Sequence, residues 1–437
     1  MVATLVVSGI TFALLGTSMF LFPSFHIKKL KIDTYWIIAL IGALILLAST
    51  LVPIKEVGHQ LFSDEAINPL KVLILFFSMT LLSAFLDETG LFKAIATFAS
   101  NKAKSSQFAL FLSFYALTSI LTIFTSNDVV ILTLTPFLCF FAKHAKINPL
   151  PYLLAEFVAA NTYSMFLIIG NPTNIYLASM AGIPFFEYMK VMAIPTIFAG
   201  IVELGLLLLL FHKQLRKPLE TKEEHYKIED KADLWIGVAH LGVTLVLLSI
   251  SNFLHWQMWL ITLIAAISLL ISVSLLHLFT HHNFNDLGHT FTHLPYPLIP
   301  FFLSMFVIVV GFNYQGISAA LSNVLGSQNP IFVYGYSSFF MANLINNIPM
   351  SILYASLPVG LEGSAQISAI YATIIGSNIG AFLTPLGALA GIMFSGLLNQ
   401  YEVKFSFFDF VKYGFVIALP TITVALLGLW LSLSVLP

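Results

Sequence analysis

Hydrophobic runs without a single charged side chain dominate the chain, at Val2–His26, Tyr35–Ile54, Phe157–Phe186 and Leu234–Leu276. Each is long enough for the roughly 20 residues a helix needs to cross a bilayer. From Leu287 to Leu361 there is no Asp, Glu, Lys or Arg. Basic residues collect between the runs, at Lys28–Lys31, Lys93–Lys104, Lys143–Lys146 and His212–Lys231. Loops rich in Lys and Arg stay in the cytoplasm, so all four are expected there. Spans near 2–26, 35–54 and 70–87 then leave the N-terminus outside. The stretch 107–142 is basic at both ends, so it must enter from the cytoplasm and return to it, as a re-entrant helical hairpin with Ser126-Asn127-Asp128 at its tip. Spans near 151–181 and 191–212 follow, then linker spans at 234–253 and 257–276. A His-rich loop at 277–293, a span at 295–313, a second hairpin at 330–358, a span at 365–395 and a last one at 411–435 complete the path, with the C-terminus outside.

The chain also repeats itself. Phe185-Phe186-Glu187-Tyr188-Met189-Lys190 matches Phe407-Phe408-Asp409-Phe410-Val411-Lys412, and Ser126-Asn127-Asp128 lies opposite Asn346-Asn347-Ile348. The offsets nearly agree, since 409 − 187 = 222 and 347 − 127 = 220. The first copy starts outside and the second inside, so the repeats are inverted. Four parts result: N-terminal scaffold helices at 1–69, repeat one at 70–212, a loop and linker helices at 213–294, and repeat two at 295–437. The expected fold is an all-α polytopic membrane protein, each repeat holding a re-entrant hairpin and a broken transmembrane helix. Such a pair of interrupted segments points to a transport site.

Composition agrees with a membrane protein, with 58% hydrophobic and 9% charged residues, against roughly 25% charged in soluble domains. A lone cysteine, Cys139, excludes an intramolecular disulfide and a cysteine-based metal cluster. With net charge −1 and a single arginine, Arg216, nucleic acid is not a partner. No Gly-Lys dipeptide is available for a phosphate-cradling loop and no His-Glu-x-x-His for a metalloprotease, so the chain reads as neither a primary pump nor an enzyme. No cofactor is expected beyond a coupling ion, proton or sodium.

Backbone inside a bilayer leaves helical geometry only where protein or a polar cavity receives it. The breaks therefore supply the candidate site. Ser126 and Asn127 at the first tip, Asn346 and Asn347 at the second, Asn171, Thr173 and Asn174 in Gly170-Asn171-Pro172-Thr173-Asn174, and Asn378 and Thr384 in the fourth break are expected to bind solute. Asp128, Glu156 and Glu203 are the candidates for ion coupling, because an ionisable group within a span is functional by default. Asp128 also reads as a helix cap, and Glu156 and Glu203 as interfacial residues. Cys139 reads as core packing and His240 as a satisfied bundle residue. The irregular spacing of His277, His281, His282, His289 and His293 does not make a metal site, and 185–190 and 407–412 read as interfacial amphipathic helices.

These segments, with Ile131-Leu132-Thr133-Leu134-Thr135-Pro136 after the first tip, Pro349 after the second and the run from Gly376 to Leu389, resemble the signatures of the ion transporter superfamily over about 70–435. Among its branches the arsenite permeases are the most similar. The resemblance implies an elevator-type carrier, a homodimer, and, for a true arsenite pump component, an ATPase subunit as partner. The superfamily's divalent-anion symporters carry Ser-Asn-Thr at both tips, which this chain lacks. A multiply charged anion usually meets a guanidinium or ammonium, and the core has no Arg. The expectation is arsenite or antimonite efflux coupled to protons across the cell membrane. Sodium- or proton-coupled di- or tricarboxylate transport is the alternative, and a channel the reading from another class.

Overall fold

The computed structural model describes residues 1–22, 24–27, 30–62, 69–102, 106–218, 226–228, 230–251, 253–280, 285–292, 294–361 and 363–435. Lys28, Lys29, Lys104, the stretch 219–225, His281, His282 and His293, all invoked above, lie outside the described residues.

Helices α1 (Val2–Leu21), α2 (Thr34–Ala48) and α3 (Ile54–Phe62) open the chain. A two-stranded antiparallel hairpin, β1 (Ser24–Ile27) with β2 (Leu30–Asp33), joins α1 to α2 and pairs Ser24 with Asp33. The fold is thus nearly but not wholly helical, and the first span ends at Leu21 instead of running on to His26. Next come α4 (Pro69–Glu88), α5 (Leu91–Lys102), α6 (Gln107–Phe124), α7 (Asn127–His144), α8 (Leu150–Tyr163), α9 (Pro172–Met180) and α10 (Phe185–Leu215). Two long helices, α11 (Lys231–Ile250) and α12 (Met258–Thr280), and the short α13 (Asn285–Thr292) lead to α14 (Leu298–Tyr314), α15 (Ile317–Leu325), α16 (Pro330–Ile345), α17 (Asn347–Ser356), α18 (Ser364–Gly380), α19 (Leu389–Gln400) and α20 (Phe407–Val435). Among the described residues α4, α6, α10, α11, α12 and α20 are long and apolar enough to cross a membrane, and α14 with α15, bent by 80°, makes a seventh span if taken as one. The chain is a multi-pass membrane protein.

The order of elements from α4 to α10 recurs from α14 to α20, down to a 3₁₀ turn inside each broken helix, at Ile168–Gly170 and Pro385–Gly387. Packing follows the same pattern crosswise. The second arm of the first hairpin, α7, lies on α19 of the second broken helix, and α17 lies on α9 of the first. The two long helices α10 and α20 pack along each other, and each contains a proline, Pro195 and Pro420. A proline removes the donor that the carbonyl four residues earlier needs. For Pro195 that carbonyl is Val191 O, and Ser432 Oγ of α20 donates to it at 2.8 Å. Gly428 permits the approach, because a Cβ there would lie 3.0 Å from the Pro195 backbone.

Two expectations need correction. The stretches 185–190 and 407–412 are not separate interfacial helices but the first turns of α10 and α20. The His-rich segment is not a plain loop. His277 belongs to α12, buried with its Nε2 2.7 Å from Asp233 Oδ2, and 285–292 is helical. His240 holds Ser268 Oγ at 3.1 Å and Cys139 is buried in α7, both as packing residues.

Candidate functional site

At the first tip, α6 ends at Phe124 and α7 begins at Asn127, leaving Thr125 and an extended Ser126 between them. Thr125, Ser126 and Asn127 are all buried. Asn127 Nδ2 donates to Asn161 Oδ1 at 3.2 Å, whereas Asn127 Oδ1 and Ser126 Oγ have no partner among the described residues. The second tip has another construction. Asn346 sits at φ +72°, a conformation that asparagine tolerates better than most residues. Its Oδ1 accepts from Ile348 N at 3.3 Å and its Nδ2 donates to Leu386 O at 3.1 Å. Asn347, 3% exposed, hydrogen-bonds to no described side chain. A buried polar group without a partner costs about 1–3 kcal/mol, so the two tips hold unmet polar capacity that a solute could use.

The broken helices differ in this respect, because their polar groups satisfy one another. Asn378 donates to Ile374 O at 2.8 Å and to Asn174 Oδ1 at 2.7 Å, and accepts from Ser164 Oγ at 2.8 Å and Asn171 Nδ2 at 3.1 Å. That fills both donors and both lone pairs of its amide. Asn171 caps α9 by accepting from Thr173 N at 3.1 Å, and Ser377 Oγ donates to Thr173 Oγ1 at 3.0 Å. Asn174 Nδ2 returns to Ser164 O at 2.8 Å. The break closes only around a glycine: a Cβ on Gly170 would lie 2.2 Å from Ser164 O. Thr384 Oγ1 donates to Asn343 Oδ1 at 2.7 Å, which ties the fourth break to the second hairpin. Asn171, Thr173, Asn174 and Asn378, proposed above as solute ligands, thus form a closed joint between the halves. Asn378→Ala should therefore act on folding before it acts on transport. It leaves Asn171 Nδ2 and Asn174 Oδ1 short of partners at about 1–3 kcal/mol for each buried group, while Ser164 Oγ keeps Asn161 O at 2.8 Å. The check is thermal stability in detergent, with a clear fall in Tm expected.

A cavity of about 640 Å³ lies between the first hairpin and the second broken helix. Its wall includes Asp128, Val129 and Leu132 of α7, Phe76 and Thr80 of α4, Asp33 and Tyr35, and Leu386, Leu389 and Met393. Of the expected site residues, Asp128 alone lines it. Asn127 is the next residue back, and Asn346 reaches the wall through Leu386 O. The lining contains two carboxylates, Asp33 and Asp128, and no Lys or Arg among the described residues.

Glu156 and Glu203 are both wholly buried within the protein. Thr135 Oγ1 lies 3.1 Å from each oxygen of Glu156, bridging α7 to α8. Tyr115 Oη donates to Glu203 Oε1 at 2.7 Å, and Thr162 Oγ1 to Glu203 Oε2.

Residues 34–371 match the family model described as citrate transporter, CitMHS. The chain belongs to the CitMHS family. Relatives include the arsenical pump membrane proteins of Yersinia enterocolitica and Escherichia coli K12, each 28% identical over 82% of this chain and 86% of theirs. The putative arsenical pump membrane protein of Bacillus subtilis is 25% identical over 90% of this chain and 94% of its own. Among solved structures, the YdaH transporter of Alcanivorax borkumensis matches 99% of this chain and 97% of its own with TM-score 0.54 and 16% identity, a likeness of fold. This CitMHS member is a membrane transporter.

Sequence reasoning missed Asn161, Ser164, Asn343, Ser377 and Asp33. The repeat could have found the first. Asn161 and Asn378 are 378 − 161 = 217 apart and donate to Phe157 O and Ile374 O, also 374 − 157 = 217 apart. In this CitMHS chain Asn161 faces Asn127, while Asn378 faces Asn174.

Proposed function

We propose that the protein exports a small neutral hydroxide, arsenite or antimonite, in exchange for protons. The observation that carries this reading is the wall of the cavity, which offers two carboxylates and no cation among the described residues. A di- or tricarboxylate entering beside Asp128 would face repulsion from its carboxylate, whereas undissociated arsenous acid needs only hydrogen bonds. The names of the 28% identical relatives support the same solute. Citrate transport is the second reading, favoured by the family's description alone. In the proposed cycle the hairpin tips hold the solute and Asp128 holds the coupling ion. The two halves, entering from opposite faces, act as inverted repeats of an elevator carrier with both termini outside. A homodimer, and an ATPase subunit if the protein serves a pump, are the partners of this reading. Growth of an efflux-deficient host on graded arsenite and antimonite is the test. Expression of the gene should raise tolerance to both, and unchanged tolerance together with new citrate uptake would favour the second reading.

A further inference from the structure

Glu203 lies outside the wall of the solute cavity, where three helices meet. Its oxygens face Tyr115 of α6 and Thr162 of α8. Tyr115 Oη is also 2.8 Å from Gly200 O. A tyrosine hydroxyl has one hydrogen, and Gly200 O can only accept. Two arrangements therefore fit the same heavy atoms. Either the Glu203 carboxylate accepts from both hydroxyls, or a protonated Glu203 donates to Tyr115 Oη, which passes its own hydrogen to Gly200 O. The site is satisfied with and without a proton. Glu156 is not, because as an anion its two oxygens would share the single hydrogen of Thr135.

Among the described residues no charged side chain faces Glu203. Tyr163 of α8 stacks edge-on against Tyr115 with ring centroids 6.0 Å apart, its hydroxyl beside those of Tyr115 and Ser119. It is only half-buried, so it forms the outer end of this row of hydroxyls. Of the other helices on α10, α20 has no charged residue after Lys412, and on α11 Asp233 and His240 face α12. A buried ionisable group in a membrane span, with no cation beside it among the described residues, is expensive to keep unless it is used.

We propose that Glu203 is a proton-binding site of the transport cycle, filled and emptied through Tyr115 and Tyr163 and separate from the solute cavity. This rests on the reading of the chain as a proton-driven carrier. The test uses the purified full-length protein in proteoliposomes, with the membrane potential clamped and the steady-state arsenite gradient measured against the imposed pH difference. The slope counts protons per solute. Glu203→Gln, which keeps a donor and an acceptor in place, should lower that slope by one proton while counterflow at equal pH stays at the wild-type rate. Glu203→Asp should restore the slope. An unchanged slope in Glu203→Gln overturns the proposal while leaving proton-driven export intact. A wild-type gradient that ignores the pH difference overturns both. Should Glu203→Gln fail to insert, Tyr163→Phe carries the test: proton-driven transport is slowed and counterflow unchanged, and an unaltered proton-driven rate is the contrary result.

Discussion

Replacing Asn127 or Asn347 by alanine is expected to abolish solute transport while the protein still reaches the membrane. Both side chains are buried at the hairpin tips, with Asn127 Oδ1 unpartnered and Asn347 outside every described side-chain hydrogen bond. Neither holds the fold together as Asn378 does, so each truncation removes a solute contact more than a structural one. In a dry site each lost contact strands a solute hydroxyl at about 1–3 kcal/mol, a loss of roughly 5- to 150-fold in binding. With both tips altered the losses should combine, because the tips come from different halves of the chain and share no hydrogen bond among the described residues. The measurement is initial-rate export from everted vesicles, normalised to protein in the membrane. Wild-type kinetics in both variants would place the solute elsewhere.

The second large effect belongs to Asp128. It follows Asn127 at the start of α7 and is the only expected site residue on the cavity wall. Its counterpart in the second repeat is Ile348, and between Asp286 and Lys404 the only charged residues are Glu362, which lies outside the described residues, and Glu402. Asp409, further along repeat two, is not on the wall either, so among the described residues repeat two brings no carboxylate to the cavity. Asp128→Asn keeps the size of the side chain and its acceptor oxygen while removing the charge. Solute exchange at equal pH should persist, and the accumulation driven through Asp128 by an imposed pH or sodium gradient should be lost. A gradient-driven rate equal to wild type would mean that the cavity carboxylate carries no coupling ion.

Much of this could be read from the chain because bilayers leave few choices. Runs without charge had to be helices, and Asn, Gly and Pro within them had to mark breaks, since a lost backbone bond in hydrocarbon needs a local substitute. The breaks do fall at Ser126, at 164–171, at Asn346 and at 381–388. What could not be read was which polar residues already had partners. Asn171, Asn174 and Asn378 carry the same chemistry as Asn127 and Asn347, yet they bond across the molecule over about two hundred positions, as Asn378 to Asn174 does with a separation of 204. Nothing in a local pattern encodes such a distant pairing. Asp33 was overlooked for a related reason: it ends a short β-hairpin that no periodicity announced, and only the tertiary structure brings it to the same cavity wall as Asp128. Glu203 was noticed as a charge in a span, but its worth depends on Tyr115, 88 residues earlier in the chain.

The most direct test of the central claim is counterflow of labelled arsenite into proteoliposomes preloaded with unlabelled arsenite. The account predicts a saturable, transient accumulation that antimonite competes away, that citrate leaves unchanged and that Asn127→Ala removes. Uptake that rises linearly with concentration and never exceeds equilibrium would indicate a pore, and counterflow of citrate in place of arsenite would contradict the neutral-solute site.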